Sequence, residues 1–315
     1  MHAESRAMNE RTFTLDAPDG HPISVSAWLP EGEPSAVIQI AHGMAEHAGR
    51  YTRLAHALVA RGWAVYANDH RGHGRSIPAG QAPGHLGVDG FAHAASVVRA
   101  LARRIEAEHP SARRVLLGHS FGSFLVQRLL YTEPGLVSAA VLSASNGKPP
   151  PLAAAGRYIA RLERLRLGAE GKSKLIDQLT FKDFNRRFKP NRTDFDWISS
   201  DEAEVDAYRD DPMCGFVLSV QSWLDLLDAL GSLTAKENLA RIPRDLPIYL
   251  FAGTKDPVGD FGRGVERLAG SYRAAGLRRV ELRLYPGGRH EMLHEKNADE
   301  VIAELIAWIE RAIAI

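Results

Sequence analysis

The chain has 315 residues, 45% apolar and 24% charged, a composition that excludes a disordered polypeptide. Its 39 Lys and Arg against 38 Asp and Glu give a net charge of +1, so no global field attracts nucleic acid or a membrane. A single cysteine, Cys214, excludes an internal disulfide and the disulfide-stapled secreted folds. The length fits one large domain or two ordinary ones. The first thirteen residues contain no apolar h-region, which predicts no Sec-type signal peptide. No apolar run approaches the roughly 18–20 residues of a membrane span. These features predict a cytoplasmic protein, with peripheral contact at a membrane as the alternative.

In chain order, 11–16 and 23–30 flank the turn Ala17-Pro18-Asp19-Gly20 and read as an antiparallel hairpin. Short Val- and Ile-rich strand candidates follow at 36–41, 63–68, 115–118, 139–143, 248–252 and 280–285. Helical patterns at 51–61, 90–109, 121–132, 262–275 and 298–313 lie between most of them. Continuously apolar strands separated by helices predict a parallel sheet covered on both faces. The expected fold is therefore α/β: an eight-stranded, mostly parallel sheet flanked by helices, its first strand pair antiparallel.

The alternation breaks once. About seventy residues between the strand ending near Ser145 and a helix expected to begin near Gly215 hold no strand pattern, and a structureless loop of that length is improbable. An inserted helical cap after the sixth strand is expected at 147–212, with the core at 1–146 and 213–315. The insertion opens on Lys148-Pro149-Pro150-Pro151, a stiff exit from the sheet. Residues 148–192 carry 12 basic and 4 acidic side chains, whereas 193–212 carry 8 acidic ones and Arg209. This segregation predicts a self-complementary, salt-bridged lid.

The central chemical signal is Gly118-His119-Ser120-Phe121-Gly122. An apolar strand runs into this GxSxG motif and a helical pattern runs out, the setting of a nucleophilic serine on a sharp turn. The alternative is an ordinary βα turn with a capping serine. A serine hydroxyl needs a base, and the base an orienting acid. Asp256 follows the 248–252 strand and His290 follows the 280–285 strand, so both fall on loops at strand C-termini, where ligand sites converge. Asp260 and His294 are their rivals. For the oxyanion, the Phe121 N–H follows the nucleophile, and the loop after strand 36–41 offers the Met44 N–H.

Other patterns compete with this reading. His290-Glu291-Met292-Leu293-His294 matches HExxH, a zinc signature that needs both histidines on one helical face and a third ligand. Pro286-Gly287-Gly288 just upstream places His290 on a loop instead. His70 and His73 have metal-like spacing without a partner set and read as a structural loop. Gly171-Lys172-Ser173 resembles the tail of a P-loop but has Arg166 where a glycine is required. Tyr158, Ile159, Leu162 and Leu165 recur at helical spacing among Arg157, Arg161, Arg164 and Arg166. Such a basic amphipathic helix can rest on an anionic membrane or turn its apolar face over the active-site mouth; the second is the main expectation.

The segments His42 to Tyr51, Asp69 to Ser76, Gly118 to Gly122, Gly253 to Asp256 and Gly287 to His290 together resemble the α/β-hydrolases of the monoacylglycerol lipase and lysophospholipase group. The resemblance implies the α/β-hydrolase fold with a helical lid. It also implies a Ser120, His290 and Asp256 triad acting on a monoacylglycerol, lysophospholipid or similar monoacyl ester. A small-molecule ester or monoacyl lipid is the expected partner, with no nucleic acid, no metal and no cofactor. A serine rather than an aspartate at position 120 argues against haloalkane dehalogenase and epoxide hydrolase chemistry. Two other readings stay open: a proline-iminopeptidase-like aminopeptidase, whose amine-binding carboxylates fall at 201–211, and a non-catalytic receptor on a retained hydrolase fold.

Overall fold

The apolar runs become the interior of one sheet in a computed structural model that describes residues 9–147 and 151–314. Its strands are β1 (Asn9–Asp16), β2 (Pro22–Leu29), β3 (Ala36–Ala41), β4 (Ala64–Asn68), β5 (Arg113–His119), β6 (Ala139–Ser143), β7 (Ile248–Gly253) and β8 (Val280–Tyr285). The spatial order is β1-β2-β4-β3-β5-β6-β7-β8. Strand β2 is antiparallel to β1 and β4, and all other pairs are parallel. Every residue of β3, β4, β6 and β7 is buried, as expected for strands covered on both faces. The edge strand β8 instead alternates half-buried and exposed positions until Tyr285.

The helices are α1 (Thr52–Val59), α2 (Gly90–Glu108), α3 (Phe121–Thr132), α4 (Pro151–Leu167), α5 (Lys174–Asp177), α6 (Asp183–Arg186), α7 (Glu202–Asp210), α8 (Val220–Leu233), α9 (Lys236–Leu239), α10 (Arg263–Ala274) and α11 (Ala298–Ile313). One core gathers Phe91 and Val98 of α2, Leu125 of α3, Leu226 of α8 and Leu268 of α10. A second gathers Leu54 and Leu58 of α1 with Leu305 and Trp308 of α11. Register then brings the loops together. Ala41 at the end of β3 pairs with both Asn68 and Gly118, so the loop after β3 abuts the turn after β5. Gly253 pairs with Tyr285, which sets the loops after β7 and β8 side by side. This is the crevice that a change in strand order opens.

Between β6 and β7 the chain is helical, from α4 to α9, with a π-helical turn at Gln178–Lys182. Three expectations are corrected. The helix anticipated near Gly215 begins at Val220, where the Ser219 hydroxyl caps it by accepting the Ser222 N–H. Among the described residues, Arg192 is the one basic side chain of 148–192 that pairs with the acidic half, bonding Asp206 at 2.7 Å and reaching Glu202 at 3.9 Å. Arg157 and Arg161 turn instead to Asp228 of α8, at 2.6 and 4.0 Å. Helix α4 does not fold its whole apolar face inward: Ile159 packs against the core, while Tyr158, Leu162 and Leu165 are 67%, 66% and 84% exposed. The Lys148-Pro149-Pro150 exit lies outside the described residues.

Candidate active site

Ser120 is the single residue between β5 and α3. Its φ of 48° and ψ of −115° are a conformation that non-glycine residues rarely hold, so the turn stores strain. The surrounding main chain imposes it: Ser120 N–H donates to Ser143 O at 2.9 Å, and Ser123 N–H donates back to Ser120 O at 3.0 Å. The flanking glycines follow from space. A Cβ on Gly122 would lie 2.0 Å from Ala41 O, and one on Gly118 would lie 2.5 Å from Gly122 O.

Asp256 is wholly buried and His290 nearly so, at 0% and 4% exposure. His290 Nδ1–H donates to Asp256 Oδ1 at 2.9 Å, and Val258 N–H donates to the same oxygen at 3.0 Å. The imidazole therefore turns Nε2 away from the acid. Burial disfavours its cation, but the Asp256 charge and hydrogen bond, with Glu291 and Glu46 beyond, outweigh it and raise the pKa above 6.5. Both rivals are engaged elsewhere. Asp260 binds Arg263 and Arg267 at 2.6 and 3.0 Å, and His294 Nδ1 pairs with Glu204 at 3.0 Å. His294 closes a 3-10 turn, Met292–His294, with His290 outside it, so the HExxH residues share no helical face.

Ser120, His290, Met44 and Phe121 line one cavity of about 200 Å³. The direct Ser120–His290 hydrogen bond is not formed here, while the His290–Asp256 bond is; such contacts often tighten only when substrate binds. Phe121 opens α3, so its N–H has no intrahelical acceptor. The loop carrying Met44 is pinned by His42, whose Nδ1–H donates to Gly43 O at 2.7 Å and whose Nε2 accepts His70 N–H at 2.9 Å. Burial pushes the pKa of His42 and His70 well below the ordinary imidazole value, keeping both neutral. His73 Nδ1 donates to Arg71 O at 3.0 Å. The His70 and His73 spacing thus serves loop structure.

Sequence reasoning missed Glu46, Arg50 and Glu291. Arg50 bonds Glu46 at 3.0 Å and Glu291 at 2.8 and 2.7 Å, joining the loop after β3 to the loop of His290. Glu46 and Glu291 are also the carboxylates on the cavity wall, which is otherwise built from side chains such as Phe124, Phe184, Trp223, Leu226 and Leu230. Of the acidic stretch 201–211, Tyr208 lines the cavity but none of the carboxylates does. Glu204 holds His294, Asp206 and Asp210 hold Arg209, and Asp211 holds His47.

An eight-stranded sheet of this order, with a strained serine between strand and helix and a buried His–Asp pair beside it, defines an α/β-hydrolase. The chain belongs to the family described as serine aminopeptidase, S33, which it matches over residues 32–297. It is 31% identical to a monoacylglycerol lipase of Mycolicibacterium smegmatis over 295 residues, covering 91% of this chain and 92% of that one. A monoglyceride lipase of Mus musculus is 29% identical over 300 residues, covering 94% and 89%. Among solved structures, a thermostable carboxyl esterase from Bacillus coagulans in complex with glycerol superposes with a TM-score of 0.88 at 25% identity, covering 98% of this chain and 99% of that one. The chain is a serine hydrolase of the carboxylesterase and lipase type, acting on small-molecule esters.

Proposed function

We propose that the protein hydrolyses monoacylglycerols, lysophospholipids or similar monoacyl esters through a triad of Ser120, His290 and Asp256. Neutral His290 takes the Ser120 proton as the oxygen attacks the acyl carbon. Asp256 holds the ring and stabilises its cation. The Phe121 and Met44 N–H groups receive the oxyanion, a contribution typically worth ~10²–10³ in rate per donor. Collapse breaks the ester bond, and His290 returns the proton to the leaving alcohol. Water, deprotonated by His290, then releases the fatty acid from Ser120 by the same steps in reverse.

The observation that carries this reading is a single cavity whose lining joins Ser120, His290, Met44 and Phe121 to largely apolar walls. Apolar walls suit an acyl chain. An aminopeptidase needs a free carboxylate for the substrate amine, whereas Glu46 and Glu291 both face Arg50. The segment 147–212 is read as the cap over a core of 1–146 and 213–315. The test pairs a fluorophosphonate probe with a substrate panel. Labelling on the Ser120 peptide and turnover of long-chain monoacyl esters well above that of aminoacyl arylamides is expected; an unlabelled Ser120, or arylamides turned over faster, would overturn the reading.

The outward residues of α4 extend it. Tyr158, Leu162 and Leu165 project beside arginines, with Arg161 and Arg166 about half exposed or more, a pattern suited to an anionic lipid surface. Sedimentation with phosphatidylglycerol vesicles is expected to show binding. A Leu162→Asp, Leu165→Asp variant should bind more than about tenfold more weakly, given ~1.5–3 kcal/mol per buried leucine. Equal binding by both proteins would remove α4 from the contact.

A further inference from the structure

Arg50 lies in a 3-10 turn, Ala48–Tyr51, directly after the loop that carries Met44. Its side chain is 9% exposed, and those of Glu46 and Glu291 are 2% and 6% exposed. Two carboxylates enclosed this closely repel each other unless a cation lies between them. The guanidinium supplies it with the planar fork that a carboxylate matches: both Glu291 oxygens are bound, at 2.8 and 2.7 Å, and Glu46 Oε2 is bound at 3.0 Å. Burial alone would raise the Glu291 pKa, yet Arg50 brings it below the ordinary carboxylate value.

Each end of this bridge abuts a reacting group. Glu46 Oε1 accepts the Gly43 N–H and the Tyr51 hydroxyl, and Gly43 is the residue before Met44. Glu291 is the residue after His290, and its own N–H donates to Ile198 O at 2.8 Å. The Tyr208 ring of α7 lies against the guanidinium, 4.8 Å from its carbon, and the Tyr208 hydroxyl donates to Ala45 O at 2.9 Å. Glu46, Glu291 and Tyr208 line the catalytic cavity; Arg50 lies behind them, outside the lining.

We infer that Arg50 is a positioning residue: by bridging Glu46 and Glu291 it holds the Met44 donor and the His290 imidazole at the separation that the tetrahedral intermediate requires. The inference rests on the triad reading above and adds a residue that touches neither substrate nor reacting atom. A lysine at position 50 still neutralises the carboxylates but, as a point charge, cannot fork between them.

The experiment compares Arg50→Lys, Glu291→Gln and the wild type on a soluble p-nitrophenyl ester well below their melting temperatures. Arg50→Lys is expected to keep KM within a few-fold and lose about 10² in kcat, the scale of a 1 Å misplacement of reacting groups. Its fluorophosphonate labelling rate should fall in parallel. Glu291→Gln, which leaves an acceptor but no charge, should fall between the two. A wild-type kcat in folded Arg50→Lys would overturn the inference, as would a kcat that merely follows lost folded protein. Should Arg50→Lys fail to fold, Glu291→Gln decides by the same kcat and KM criterion. Ser120→Ala in the same assay separates the two claims: turnover surviving there defeats the triad, whereas its loss beside an unaffected Arg50→Lys defeats the bridge alone.

Discussion

Ser120→Ala is expected to fold normally and to lose about six orders of magnitude in kcat, the scale seen when a triad nucleophile is removed. Alanine tolerates the turn no worse than serine, and the Ser120 hydroxyl is not needed for the bonds that shape the elbow, which run through Ser120 N–H and O. Asp256→Asn tests the other end of the relay. An asparagine carbonyl at the Oδ1 position can keep both donors, Val258 N–H and His290 Nδ1–H, so the loss is mainly one of charge. Since His290 is a base only when neutral, wild-type activity should rise with pH through a pKa above 6.5, the side to which Asp256 lifts it. Without that carboxylate, burial dominates and disfavours the cation, so the acidic limb of kcat/KM should move to lower pH. The poorer stabilisation of the imidazolium should cost about 10³–10⁴ in kcat. Stopped assays across pH 5 to 9 read both effects; an unmoved limb with an unchanged rate would remove Asp256 from the relay.

The strands were legible because their environment is uniform: β3, β6 and β7 are buried at every position, and a strand covered on both faces has little choice but to be apolar throughout. The elbow was legible because steric necessity writes glycine into the chain on both sides of Ser120. Charge pairing was less so. Asp256 and Asp260 stand on one loop, and only the positions of Arg263 and Arg267 on α10 show that one of the two is already neutralised. Arg50 and Glu291 are separated by 241 residues, and no local pattern signals a contact across that distance. For α4, periodicity marks an apolar face but not what covers it. The core takes Ile159 and Ala160 and leaves Leu162 and Leu165 outside, a division set by the neighbouring α8 rather than by the helix itself. The HExxH run shows the same limit: a spacing fits a helix whether or not Pro286-Gly287-Gly288 allows one to form.

Gly122→Ala should be among the most damaging single-methyl substitutions in the molecule. The added carbon would meet Ala41 O at 2.0 Å, Ala41 C at 2.5 Å and His42 O at 2.6 Å, all of them main-chain atoms with no rotamer to yield. Ala41 is also bound into the sheet on both sides, opposite Asn68 and Gly118, so relief must come from moving the end of β3 or the start of α3. Overpacking of this kind costs about 1–3 kcal/mol when side chains can adjust, and more when the backbone must. A loss of at least about 3 kcal/mol is expected by urea denaturation. Activity should fall further than stability explains, because His42 leads directly to the Met44 donor and Phe121 N–H belongs to the helix that would be displaced. Folded Gly122→Ala protein with near-native turnover would mean that β3 and α3 do not approach as closely as the elbow requires, and both backbone donors would then need to be sought elsewhere.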